Sequence, residues 1–482
     1  MNAHKRVFLF VLFSLILYFG ASYFTLAYKK NWKPFDRVNL LSDIVHEPMM
    51  EHEKTLSAYQ PVELPPDVDP ADTALNSDSL HAISPPQTTD TASRLPQENT
   101  EPIKVYSPSD ALTKKDILLL NTDSNAVALT HFSSKLAALK RGGKVKVRIA
   151  YLGDSMIEGD LLSQTLRSLL QKMYGGYGVG FIPITSQVAQ FRQTAIASFS
   201  SGWRDLNFKN TKSKSLFLSG HVFYTSENDW VKIRDNTIRD TSIVLQKYLL
   251  YGTSTDTSDI ILPDKTIPLR GQDIFNRKLL ADDRSKSIRF STDDQQLPLY
   301  GVSFESPTGI VVDNFSFRGI SGLEFGRIST EFLNAINAHH PYDLIIFQFG
   351  VNVLYQPEET HFNWYKRAAV PVINKLKHSF PQADFLIVGT GDRAFRYDDG
   401  YQSAVGIEEL IKVQAALAVQ TNCAFYSLYA AMGGKNSMVN WATQSPSLAN
   451  KDYVHPNALG ARVLGKHLFE AIHKDVNKGG TK

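Results

Sequence analysis

Polar and apolar positions along the chain change rhythm several times, and each rhythm predicts a different kind of element. From Val7 to Tyr28 the run VFLFVLFSLILYFGASYFTLAY has no charge and no polar face, and its length is about that of a bilayer-spanning helix. A cleaved signal peptide has a shorter apolar core and a small-x-small site; here aromatics follow Gly20, Ala21 and Ser22. The expectation is an uncleaved N-terminal transmembrane anchor over residues 1–30. Lys5 and Arg6 precede the run, and Lys29, Lys30 and Lys33 follow it, so basic residues do not orient it. Residues 31–111 are mostly polar. Prolines 61, 65, 66, 70, 85, 86, 96, 102 and 108 fall among Ser, Thr and acidic residues. Such a stretch cannot bury enough apolar surface to offset its ordering entropy, and it reads as an extended, disordered linker.

Periodicity returns near residue 112. Leu129, Phe132, Leu136 and Leu139 repeat at helical spacing within Asn125–Arg141, which stops at Gly142-Gly143. KVKVRIAYL (144–152) alternates as a strand does, and the next helix places Leu162, Leu166, Leu169, Leu170 and Met173 on one face. After residue 308 strands are expected at Ile310–Phe317, Asp343–Phe349, Asp384–Gly389 and near Phe425. Helices are expected at Leu323–Ala338, Thr360–His378, Gly406–Gln420 and Pro456–His473. Strands alternating with helices predict an α/β domain whose parallel sheet is covered on both faces. From 188 to 308 the rhythm is instead one of short β-type runs such as SLFLSGHVFYT and SIVLQKYLLYG, separated by Asp, Asn, Thr and Gly. That segment reads as an all-β sandwich inserted in a loop, where insertion costs little if the loop ends are close. The α/β domain is then split into 112–187 and 309–482.

Composition narrows the function classes. Among 482 residues, 43% are hydrophobic and 21% charged, enough for a sizeable core. A net charge of +3 argues against a dedicated nucleic-acid binder. The single cysteine, Cys423, excludes an intrachain disulfide and any Cys-based metal cluster. The histidines show no metal-ligand spacing, and no metal or organic cofactor is implied.

Three places carry chemistry. Ser155, in Gly153-Asp154-Ser155-Met156, lies at a strand-to-helix turn, where an open sheet binds its ligands and a helix N-terminus favours negative charge. Alone this could be an ordinary helix cap. Asp452-Tyr453-Val454-His455 lies before the last helix, and Pro456 keeps His455 out of the helical region. The spacing lets the carboxylate reach the imidazole Nδ1–H and leaves Nε2 for a serine proton. Acyl transfer also needs donors for an oxyanion. The Asn352 amide after the apolar strand LIIFQF and the Gly322 N–H in RGISG (318–322) are candidates, though either could be turn chemistry.

Together these segments resemble the four blocks of the SGNH (GDSL) hydrolase family: GDSM at 153–156, RGISG at 318–322, GVN at 350–352 and DYVH at 452–455. Met156 replaces the usual Leu, and Val353 stands where the family often has Asp. The finer resemblance, through YGGYGVGFIPI (174–184), GGKNSMVNWA (433–442) and the inserted β module, is to bacterial peptidoglycan O-acetylesterases. The resemblance implies a three-layer αβα fold with Ser155, Asp452 and His455 as catalytic triad. It also implies an oxyanion hole made by Ser155, Gly322 and Asn352. The expected partner is an acetylated glycan of the cell envelope, with the catalytic part outside the cytoplasmic membrane. An O-acetyltransferase, or a non-catalytic glycan-binding protein, are the alternatives. Trp203 and Trp230 are candidate glycan contacts on the insert, unless they are core residues of the sandwich.

Overall fold

The computed structural model describes residues 105–186 and 191–478. The expected membrane anchor and the expected linker up to residue 104 lie outside them. Among the described residues no helix is long and apolar enough to cross a membrane. Folded structure begins earlier than composition indicates. Val105 bridges to Asp123, a 3-10 turn spans Pro108–Leu112, and Ala111 is fully buried. Residues 105–111 therefore belong to the folded domain. A capping box between Ser107 and Asp110 closes the turn, and Tyr106 and Leu112 pack onto the core on either side of it.

Five parallel strands form the central sheet: β1 (Lys146–Gly153), β2 (Gly309–Ser316), β3 (Leu344–Gln348), β4 (Asp384–Gly389) and β5 (Ala424–Ser427). Their spatial order is β2-β1-β3-β4-β5. Six longer helices accompany them: α1 (Thr130–Lys140), α2 (Ser163–Tyr174), α3 (Thr330–His339), α4 (Asn363–Ser379), α5 (Ile407–Gln420) and α6 (Ala458–Asn477). Alternate strand residues enter two cores, as the two-residue period of a strand requires. Ala150, Leu152, Ile345 and Phe347 pack with α3, α4 and α5; Ile149, Tyr151, Ile346 and Leu386 pack with α1, α2 and α6. Burial on both faces explains the unbroken apolar run LIIF in β3.

Two helices differ from their sequence pattern. The expected helix Leu323–Ala338 is broken into a 3-10 turn, Leu323–Arg327, and α3. Ser329 is the cause: its Oγ accepts the Phe332 N–H at 3.1 Å and caps α3 afresh. In α2, Met173 is exposed, whereas Arg167 lies on the buried side.

The insert folds as two antiparallel sheets. One holds Arg204–Asn207, His221–Tyr224, Leu245–Tyr251, Asn276–Asp283 and Leu299–Glu305; the other holds Ala195–Phe199, Trp230–Asp235, Asp259–Ile261, Thr266–Pro268 and Ser287–Ser291. Phe223, Val231, Leu249, Phe290 and Val302 share the core between them. Gly180–Pro183, on the near side of the expected boundary at 188, also pairs with Leu299–Glu305. The outer face of that first sheet is buried as well. Phe181, Val222, Leu250 and Tyr300 join Phe315 and Phe332 in the α/β core. Polar groups reinforce the junction: Glu305, fully buried, meets Lys146 and Arg148 of β1 and Arg277 of the insert. Burial pushes the Glu305 carboxyl up, but the Arg148 and Arg277 guanidinia outweigh it and hold the group well below the carboxylate range.

Candidate active site

At the end of β1 the chain enters a tight 3-10 turn, Ser155–Asp160. Asp154 caps this turn, its Oδ1 accepting the Met156 N–H at 2.9 Å. Ser155 is half-buried at the carboxyl end of the sheet, between β1 and β3, where the strand order reverses. Sequence logic placed a nucleophile here because a short turn projects the side chain above the sheet.

Asp452 and His455 arrive from the loop before α6. Asp452 Oδ1 accepts the N–H groups of Val454 and His455 at 2.9 and 3.0 Å, so the carboxylate shapes its own loop. Tyr453 adopts a left-handed φ of 57°. The Ala394 N–H holds its carbonyl at 3.0 Å, and the Tyr401 ring stacks on it at 3.9 Å. Within this frame His455 Nδ1 lies 2.8 Å from Asp452 Oδ2, and His455 Nε2 lies 2.8 Å from Ser155 Oγ. With Nδ1–H donating to the carboxylate, Nε2 carries the lone pair and accepts the serine hydroxyl. Burial would raise the Asp452 carboxyl, but hydrogen bonds from the His455 ring and from the His455 and Val454 N–H groups outweigh it and lower the pKa.

Gly322 and Asn352 flank the same place. Gly322 has φ 89°, and a Cβ there would stand 2.4 Å from the Phe347 ring, so glycine is required by conformation and by space. Asn352 Nδ2 donates to the Ile320 carbonyl at 2.8 Å and, through a longer contact of 3.3 Å, to Asp154 Oδ2. The amide therefore ties the RGISG turn to the residue before the serine.

Several supporting residues escaped the sequence reading. Asp154 is buried beside the serine, and burial lifts its carboxyl to about 7 despite the N–H groups of Met156 and Gly350. Arg393 donates from Nη1 to the carbonyls of Val351 and Leu354, both at 2.7 Å, and so holds the loop that presents Asn352. Asn314 Nδ2 donates to the Ile157 carbonyl at 2.9 Å and to Ser163 Oγ at 2.6 Å, bracing the turn after Ser155. The signal for Asn314 was present, as a polar residue inside the apolar strand IVVDNFSF. Trp203 and Trp230 are half-buried elements of the sandwich: the Trp203 indole N–H donates to the Trp230 carbonyl at 3.1 Å, and Arg289 covers the Trp230 ring at 4.5 Å. Both therefore contribute to the packing of the sandwich while keeping part of their surface exposed.

No protein-family model and no curated protein matches the chain. A solved structure of a peptidoglycan O-acetylesterase matches 72% of this chain and 96% of its own, with a TM-score of 0.61 at 21% identity. The chain shares the fold of that enzyme. Its architecture is thus SGNH-hydrolase-like, a parallel sheet between helices, with a β module built into it. More distant matches are an acetylxylan esterase from Geobacillus stearothermophilus (17% identity, 34% of this chain and 73% of that one, TM-score 0.27) and a family two carbohydrate esterase from Cellvibrio japonicus (10% identity, 59% and 99%, TM-score 0.26). On this SGNH-like frame Ser155, Gly322 and Asn352 each follow one of the three adjacent strands β1, β2 and β3.

Proposed function

We propose that the protein is a serine esterase that removes O-acetyl groups from a cell-envelope glycan, with peptidoglycan as the candidate polymer. The observation that carries this reading is the continuous relay from Asp452 through His455 to Ser155, with both contacts at 2.8 Å. Ser155 Oγ attacks the acetyl carbonyl carbon while His455 Nε2 takes the hydroxyl proton. The carbonyl oxygen becomes an oxyanion, received by the N–H groups of Ser155 and Gly322 and by the Asn352 amide. The long 3.3 Å contact of that amide to Asp154 is the weaker of its two bonds, and the one an oxyanion would replace. Collapse breaks the carbon–oxygen bond to the sugar, whose oxygen leaves with the proton from His455. Water then attacks the acetyl-serine with His455 again as base, releasing acetate and restoring Ser155. The shared fold with a peptidoglycan O-acetylesterase supports the substrate class, the apolar run at 7–28 supports a membrane tether, and an envelope-glycan substrate would put this domain on the outer side.

Incubating the full chain with acetylated peptidoglycan tests the reading, with free acetate measured and transferred acetyl followed on an added sugar acceptor. Ser155→Ala and His455→Ala should each abolish acetate release and hydrolysis of 4-nitrophenyl acetate, to similar extents because the residues act as a unit. A fluorophosphonate should label wild type at Ser155. Full activity in either variant overturns the reading, and acetyl recovered mainly on the acceptor would make the protein a transferase.

A further inference from the structure

Beside the nucleophile turn, the α/β domain and the β module together enclose a cleft of about 180 Å³. Glu158, from the Ser155–Asp160 turn, lines one side with Ser316 and Arg318, which end and follow β2. Ser316 pairs in register with Gly153, two residues before the serine, so the cleft opens next to the reacting centre. Asp205, Lys209 and His221 of the β module line the other side. The volume falls below the ~300–1,000 Å³ of a whole small-ligand site, as suits one subsite of a longer one.

The polar groups here are held in fixed pairs. His221 Nδ1 is 2.7 Å from Asp205 Oδ1, and the imidazole is sandwiched against Phe223 at 5.5 Å and Phe317 at 4.9 Å. The Asp205 carboxylate takes Nδ1–H, so His221 Nε2 is an acceptor, and it meets no partner among the described residues. Arg318 directs Nε and Nη2 to Glu158 Oε2, which leaves Nη1 unused, and its side chain is 63% exposed. Lys209 Nζ stands over the Phe317 ring at 5.8 Å. Across the lining, three cations (Arg192, Lys209 and Arg318) and three carboxylates (Glu158, Asp160 and Asp205) cancel in charge while offering several donors and one oriented acceptor. That set fits a neutral, hydroxyl-rich ligand better than a strongly charged one.

We propose that this cleft is a glycan subsite, binding the pyranose unit next to the acetylated one, with His221 Nε2 accepting from one hydroxyl and Arg318 and Lys209 donating to others. The proposal rests on the esterase reading above and adds where the polymer lies. It makes the β module part of the substrate site through the Asp205–His221 pair, on a different surface from Trp203 and Trp230. Contacts remote from the reacting bond then orient it, so a substrate lacking the neighbouring sugar forgoes their contribution.

The full chain, His221→Ala, His221→Gln and Arg318→Ala are compared on acetylated peptidoglycan fragments and on 4-nitrophenyl acetate. His221→Ala should lower kcat/KM on the fragments about tenfold more than on the small ester, the loss of one neutral hydrogen bond, with much of it in KM. His221→Gln, whose amide can still accept, should recover part of that difference. An unchanged ratio between the two substrates, with melting temperature preserved, overturns the proposal. If His221→Ala does not fold, the ratio for Arg318→Ala, an exposed position, decides in the same way. Wild type that hydrolyses 4-nitrophenyl acetate but no glycan ester would instead refute the substrate reading, and this subsite with it.

Discussion

Two aspartates within the nucleophile segment show how far residue chemistry depends on neighbours. Asp154 and Asp160 are both buried, yet burial lifts Asp154 to about 7, while the Arg167 and Arg192 guanidinia outweigh burial at Asp160 and lower it. At Asp154 the N–H donors and the nearby His455 lower the carboxyl too little to offset burial. A carboxyl raised in the folded state stabilises the fold below its unfolded pKa near 4, and that contribution disappears as pH rises through about 7. Wild type should therefore lose stability between pH 4 and 8. Asp154→Asn cannot ionise and lacks that share of the loss, so it should gain on wild type across this window by on the order of 4 kcal/mol at most. Urea unfolding at several pH values measures the difference. Parallel profiles would show that the Asp154 environment is well solvated. Ser155, Asp452 and His455 were legible because their chemistry depends on short motifs. The state of Asp154 was not, because its burial is imposed by β3 and the Asn352 loop.

At the scale of elements, α2 and the turn before it act as one unit. Arg167 Nη1 and Nη2 both reach Asp160 at 2.8 Å, and its Nε donates to the Val312 carbonyl at 3.2 Å. Asp160 itself has φ 67°, and Thr194 of the insert donates to its Oδ2 at 2.6 Å. The turn that carries Ser155 is thus clamped at its far end by a buried ion pair. Arg167→Met keeps the volume but leaves the buried carboxylate with the Ser163 and Thr194 hydroxyls and, as cation, Arg192 at 3.5 Å. Destabilisation near 3 kcal/mol is expected, the low end for a broken buried pair, together with slower ester hydrolysis. Adding Asp160→Asn should recover part of the stability, as read by thermal melts of both variants. If Arg167→Met costs under about 1 kcal/mol, the clamp is not what holds the turn. Leucine spacing was enough to predict α2, but it gave no sign that Arg167 is buried. A buried cation is unreadable from periodicity when its partner lies in another element.

For the whole molecule, the β module is a structural part of the domain that hosts it. Phe181, Val222, Leu250 and Tyr300 sit in the same core as Phe315 and Phe332, and Tyr300 meets Phe332 at 5.6 Å. Replacing the insert by a short linker would expose a contiguous apolar face on the α/β domain and strip Arg148 of Glu305. The excised protein is expected to aggregate or to lose its cooperative thermal transition, while the intact folded part unfolds in one transition. An excised variant that melts cooperatively and still hydrolyses 4-nitrophenyl acetate would show that the two parts fold independently.

The sequence alone determined the alternation of strands and helices, the change to β-type runs in the middle of the chain, the positions of Ser155, Gly322 and Asn352 after strands, and that of Asp452 and His455 in the loop before the last helix. Those follow from local periodicity and turn chemistry, which neighbouring residues suffice to specify. Tertiary structure alone decided the spatial order β2-β1-β3-β4-β5 and the 2.8 Å meeting of Ser155 with His455 across 300 positions. It also decided the inclusion of Gly180–Pro183 in the β module and the burial of that module's sheet on both faces. These depend on which surfaces meet, and the residues that bury those surfaces lie far away in the sequence.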